Sequence, residues 1–297
     1  MSEARVRVAT AWLAAVAVVC LTIACATPSE RIVAQAKQLG FARDEVVGTK
    51  FRHAIFGKAL PPETSILHVY IGGDGSPARA VRNIPADPTP RREPMLRLMA
   101  LDNGPSLFLG RPCYHDTGPC DPLHWTQGRY GEPVVASMVK ALVNFVRKQQ
   151  LNPQMQWVLI GFSGGGTLAT LMAERLPRTR AVVTIAGNLD IDAWAKHHGY
   201  RALDHSLNPV ERPALPPQIV QIHLRGGRDA NVPGRFAREF MARQPRAREV
   251  VEPAFDHACC WEEIWADTLA DLERELQRDT PQNDAPKNGA PKMTPLK

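Results

Sequence analysis

Short apolar runs alternate with stretches of helical spacing along most of the chain, and this alternation predicts an α/β domain: a mostly parallel sheet with helices on both faces. Two observations support it. The runs Trp157-Val158-Leu159-Ile160 and Ala181-Val182-Val183-Thr184-Ile185 are apolar almost throughout rather than alternating, as strands covered on both faces are. The chain is also large enough. At 297 residues, 44% hydrophobic and 22% charged, it suffices for one domain with a substantial core. That domain is expected over residues 30–278, with a small cap-like insertion at 187–217.

Each element follows in order. Residues 30–40 read as a short helix. Residues 46–56 and 65–71 read as strands, with the segment before Ser65 as an antiparallel edge. The second strand ends in Gly72-Gly73-Asp74-Gly75, a glycine-rich turn that lets backbone N–H groups face a ligand. A Pro- and Arg-rich loop covers 79–92, a helix is expected at 94–101 and a strand at 106–110. Residues 111–131 are irregular, with Pro112, Pro119 and Pro122. Val134, Met138, Ala141, Leu142 and Phe145 recur at helical spacing, so 133–150 reads as a helix, and Pro133 suits its first turn. A strand at 156–160 and a helix at 167–176 come next. Strands at 181–186 and 218–224 flank the 187–217 excursion, which holds Trp194, His197, His198 and Tyr200. A helix at 234–243, a strand at 248–252 and a helix at 261–277 close the domain. Residues 279–297 carry almost no large apolar side chain and are expected to be a disordered tail.

The first residues read as a targeting segment. Arg5 and Arg7 precede an apolar stretch at 8–24, and Ala24-Cys25-Ala26 offers small residues for cleavage, so 1–26 is expected to be a signal peptide. Leu21-Thr22-Ile23-Ala24-Cys25 also resembles a bacterial lipobox, with Thr22 where leucine is usual. Two outcomes are open: lipidation of Cys25 with anchoring to a membrane, or plain cleavage after Ala26. Both imply export, to a bacterial periplasm or as a membrane-anchored lipoprotein. Export permits disulfides, and Cys113 and Cys120, bracketing a short loop, are the candidate pair. Cys259 and Cys260 are adjacent and stay open between buried thiols and a strained bridge; metal binding is a weaker alternative, because no matching second pair of ligands stands out. The net charge of +6 is spread over scattered Arg and Lys, which argues against a nucleic-acid partner. The sequence has no dinucleotide fingerprint, phosphate-binding loop or zinc-ligand spacing, so no cofactor and no metal are expected.

The chemistry centres on Gly161-Phe162-Ser163-Gly164-Gly165. A strand before it and a helix after it are what a nucleophile elbow requires. The turn is too sharp for side chains at Gly161 and Gly165, and Ser163 then projects above the sheet at a helix N-terminus, which favours developing negative charge. In a parallel sheet every strand delivers its carboxyl end to one edge. Ser163, Asp229 and His257 each follow a strand at that edge. A serine hydroxyl needs a base to become a nucleophile, a neutral imidazole supplies one near pH 7, and a carboxylate holds the ring in the useful tautomer. Asp190 is the rival for the acid, whereas His223 lies inside a strand and His197 and His198 lie in the excursion. The Gly226-Gly227 lead-in suits a tight turn before Asp229. The oxyanion donors would be the N–H of Gly164 and one from Gly73 or Asp74.

Over about 46–277 the chain resembles the α/β-hydrolase superfamily. The likeness rests on G-F-S-G-G, the Gly72–Gly75 turn, G-G-R-D-A-N-V-P around Asp229, and F-D-H around His257, with the residues in the order Ser, Asp, His. The turn is G-G-D-G where many esterases have H-G-G-G. The resemblance implies hydrolysis through an acyl-enzyme without a cofactor. The expected activity is that of an exported carboxylesterase or acyl hydrolase acting on a small-molecule acyl substrate. The 187–217 and 111–131 segments would wall its pocket. Two alternatives stand beside it: a peptidase or amidase using the same triad, and a catalytically inactive envelope binding protein of the same fold.

Overall fold

The computed structural model describes residues 26–77 and 84–278. The expected leader, the candidate lipidation residue Cys25, part of the 79–92 loop and the expected tail at 279–297 lie outside the described residues. Among the described residues no helix is long and apolar enough to cross a membrane.

The centre is an eight-stranded sheet in the order β1-β2-β4-β3-β5-β6-β7-β8, from β1 (Ala42–Val47), β2 (Arg52–Gly57), β3 (Ile66–Ile71), β4 (Ser106–Leu109), β5 (Gln156–Phe162), β6 (Thr179–Ile185), β7 (Val220–Gly226) and β8 (Ala247–Glu252). β1 pairs antiparallel with β2, and β2 antiparallel with β4; every other pairing is parallel. The expected single strand at 46–56 is therefore a hairpin. Val47 pairs with Arg52, and the Gly48 N–H donates to the Phe51 carbonyl at 2.8 Å to close the turn. The polar turn interrupts what reads, residue by residue, as one extended run.

Both faces of the sheet are covered because successive strand residues point opposite ways and are apolar on both sides. In β5, Leu159 faces the cluster that holds Val134, Met138, Leu142 and Phe145 of α3 (Glu132–Lys148) and Leu168 and Leu171 of α4 (Gly164–Ala173). Val158 and Ile160 face the other cluster, with Ile32 of α1 (Pro28–Gln38), Met95 and Leu98 of α2 (Pro94–Ala100), and Trp265, Leu269 and Leu272 of α7 (Trp265–Arg278). The 187–217 excursion carries the short helix α5 (Ile191–His197), and α6 (Arg238–Arg243) precedes β8. The helices expected at 234–243 and 261–277 each begin as a separate 3-10 turn, Gly234–Phe236 and Trp261–Glu263.

Candidate active site

β5 delivers Ser163 to the carboxyl edge. The residue sits at φ 52° and ψ −120°, a conformation L-residues avoid. The surroundings over-determine it. Its N–H donates to the Ile185 carbonyl at 2.8 Å and its carbonyl accepts from Gly166 at 2.9 Å. A side chain at Gly161 would overlap the backbone of Gly165, and one at Gly165 would stand 2.6 Å from the Gly72 carbonyl. Both glycines serve close approach, and the elbow forms because neither carries a Cβ.

β7 and β8 deliver the other two groups. His257 Nε2 lies 3.1 Å from Ser163 Oγ, and His257 Nδ1 lies 2.8 Å from Asp229 Oδ2. The Asp229 side chain is fully buried, and its Oδ1 accepts from the N–H groups of Asn231 and Val232 at 2.9 and 2.8 Å. Gly226 and Gly227 do not take a left-handed turn. They let the loop after β8 come close, since a Cβ at Gly226 would stand 2.5 Å from the Phe255 carbonyl and one at Gly227 2.8 Å from Pro253. The His257 ring packs on Phe162 at 5.1 Å between centroids.

The rivals are occupied elsewhere. Asp190 caps α5, accepting from the Ala193 N–H at 3.0 Å. His223 is buried beside Thr184 Oγ1 at 2.8 Å, and burial holds its pKa down at about 4. His197 lies against Arg235, and His198 Nε2 reaches the Asn231 carbonyl at 2.8 Å.

Gly164 contributes the first N–H of α4, which has no intrahelical acceptor. Gly73 and Asp74 line the same cavity as Ser163. Asp74 also makes contacts that its sequence context hides. Its carboxylate accepts from Arg111 Nη1 at 2.6 Å, Arg129 Nη1 at 2.9 Å and the Tyr130 hydroxyl at 2.6 Å, while its carbonyl accepts from the Tyr114 hydroxyl at 2.8 Å. Burial alone would raise the Asp74 pKa; the charges of Arg129 and Arg111 and the Tyr130 hydrogen bond outweigh it and bring it to about 2. A Cβ at Gly164 would overlap both the Asp74 carboxylate and the Tyr130 hydroxyl, so this glycine makes room for the clamp. Arg129, Tyr130, Tyr114 and Glu93 were not foreseen from sequence. Glu93 caps α2 through the Met95 N–H at 3.1 Å, and burial lifts its pKa to about 7 against that hydrogen bond and the charges of Arg111 and Arg97.

These groups open on a cavity of about 830 Å³, a size that suits a small organic ligand. The 111–131 loop supplies Thr126, Gln127 and Arg129 to its wall, and the excursion supplies Trp194, Tyr200 and Leu203. The structure joins Cys113 to Cys120, with Cα atoms 5.4 Å apart, within the same loop. It also joins Cys259 to Cys260 across a cis peptide bond.

No protein-family model matches the sequence, and no curated protein matches it. Solved structures do. An esterase of Pyrococcus furiosus aligns with a TM-score of 0.56 at 12% identity, covering 82% of this chain and 93% of that one. A membrane phospholipase A described as a bacterial virulence factor aligns with a TM-score of 0.55 at 16% identity, covering 92% and 99%. An Agrobacterium tumefaciens protein described as a putative α/β hydrolase aligns with a TM-score of 0.53 at 12% identity, covering 80% and 98%. With the strand order above, these likenesses show that the chain has the α/β-hydrolase fold.

Proposed function

We propose that the chain is an exported serine hydrolase that cleaves carboxylic esters through an acyl-enzyme. The observation that carries this reading is the hydrogen-bonded row Ser163–His257–Asp229 opening on the cavity. Ser163 Oγ attacks the ester carbonyl while His257 Nε2 takes its proton. Asp229 accepts from His257 Nδ1–H and so keeps Nε2 free as the base. The tetrahedral oxyanion accepts from the N–H of Gly164 and from that of Gly73 or Asp74. The leaving alcohol takes the proton from His257, and water reverses the sequence to free the acid. An esterase and a phospholipase among the structural neighbours support acyl-ester chemistry on this fold.

A fluorophosphonate probe and an ester screen test it. The probe is expected to label Ser163, and Ser163→Ala is expected to lose roughly a millionfold in kcat while keeping its circular dichroism. Comparable turnover by the folded variant would remove the assignment. Export rests on the character of residues 1–26. Mass spectrometry of the native N-terminus is expected to find either a diacylglyceryl Cys25 or a chain beginning at Thr27, and an intact Met1 contradicts both.

A further inference from the structure

We propose that the Ser163 cavity selects acyl esters that also carry an anionic group, a carboxylate or a phosphate. The proposal rests on the reading of Ser163 as the nucleophile and names the substrate class of that site.

The argument is one of unspent positive charge. Arg129 is 7% exposed and lines the cavity. Its Nε donates to the Thr126 carbonyl at 2.7 Å and its Nη1 to Asp74, which leaves Nη2 without an acceptor among the described residues. That nitrogen is not sealed from solvent, and its residue is part of the cavity wall. A guanidinium taken out of water and left with an open donor is a site for an anionic acceptor. Its charge is not cancelled locally, because the single carboxylate of Asp74 is shared between Arg129 and Arg111. Arg92 and Arg201 stand further out on the cavity wall, exposed and without an acceptor among the described residues. The acidic groups on the wall are Asp74, already paired twice, and Glu93. Phe162, Trp194 and Leu203 give the same cavity an apolar side for the acyl chain. An amphiphilic anion satisfies both halves, and a cleft whose wall carries more cationic than acidic groups concentrates such a ligand.

Two matched pairs test the proposal: para-nitrophenyl hydrogen glutarate against para-nitrophenyl pentanoate, and oleoyl lysophosphatidic acid against monooleoylglycerol. Turnover is measured on the wild-type chain and the dissociation constant on Ser163→Ala. The anionic member is expected to be favoured by about tenfold or more in at least one pair, the value of one charge-assisted hydrogen bond. The preference is expected to shrink with added salt. Preference in the first pair alone assigns a carboxylate, and in the second alone a phosphate. Arg129→Gln is expected to reduce the preference about tenfold. Because that side chain also holds Asp74, the exposed double variant Arg92→Ala/Arg201→Ala provides the second test and is expected to reduce it in the same direction. Equal or weaker binding of both anionic members by Ser163→Ala overturns the proposal even where the esters are hydrolysed. Anion-selective binding without any turnover supports the anion site and removes the hydrolase reading instead.

Discussion

At the scale of single residues, the decisive assignment is the acid that orients His257. Asp190 and Asp229 both follow strands at the carboxyl edge, but their hydrogen bonds differ in kind. Asp229 holds His257 Nδ1 with one oxygen and two backbone N–H groups with the other, so the carboxylate cannot turn away from the ring. Asp190 spends Oδ1 on the Ala193 N–H and on the Asn208 amide. Asp229→Asn keeps the shape and offers the ring an amide in place of a carboxylate, which favours the wrong tautomer; a loss on the order of 10⁴ in kcat is expected. Asp190→Asn keeps a competent helix cap and is expected to leave kcat within a few-fold. Measuring both variants at one pH, with circular dichroism on each, separates the two assignments, and a crippled Asp190→Asn beside an active Asp229→Asn reverses them.

At the scale of elements, the 111–131 loop has more to do than wall a pocket. It brings Arg111, Arg129 and Tyr130 onto one carboxylate in the turn after β3, and the Cys113–Cys120 bond spans its first half, next to Arg111. Removing that bond as Cys113→Ser/Cys120→Ser is expected to cost roughly 2–3 kcal/mol of stability for so short a closed loop. Urea unfolding of the double variant measures this, and an unchanged midpoint would mean that the clamp holds the loop unaided. The loop also shows where sequence legibility stops. Ser163, Asp229 and His257 could be read because each follows an apolar run that identifies a strand, and parallel strands share an edge. The Asp74 clamp could not. Its members come from two irregular segments, the turn after β3 and this loop, up to 56 residues apart, with no period to align them. The signal that was present is energetic: a buried Asp requires cations nearby, but nothing in the order of residues says which. The β1–β2 hairpin escaped for a local reason, since a turn at Gly48 without proline does not interrupt the extended pattern clearly. The elements of the main core, with long apolar runs or strong helical spacing, were placed to within a few residues.

At the scale of the whole molecule, burial of titratable groups sets how stability depends on pH. Burial acts on the charge of three enclosed histidines: His53 between the Gly110 carbonyl and Ser137 Oγ, His115 among the rings of Phe56, Phe108 and Tyr114, and His223 beside Thr184. Burial disfavours their charged forms and lowers their pKa values to about 4, 3 and 4. Glu93 acts oppositely, since burial raises it to about 7. Between about pH 4.5 and 6.5 the unfolded chain therefore binds a proton at each of the three histidines that the folded chain refuses. In the same window the folded chain keeps one proton, on Glu93, that the unfolded chain gives up. The balance is about two protons in favour of the unfolded state near pH 5 and falls to about one by pH 6.5, so stability rises with pH across this window, by on the order of 1–3 kcal/mol per unit. The paired carboxylate of Asp74, held near 2, adds its own loss only below about pH 4. Above about pH 8 the histidines are neutral in both states and their contribution no longer changes. Unfolding free energies from urea titrations are expected to fall steadily from pH 6.5 to 5. Glu93→Gln removes the opposing proton while its amide oxygen can still cap α2, so it is expected to steepen the slope by about one proton. His223→Gln is expected to flatten it by about one. A stability that stays level or increases as the pH drops from 6.5 to 5 would show that these histidines open to water or charge within the native fold.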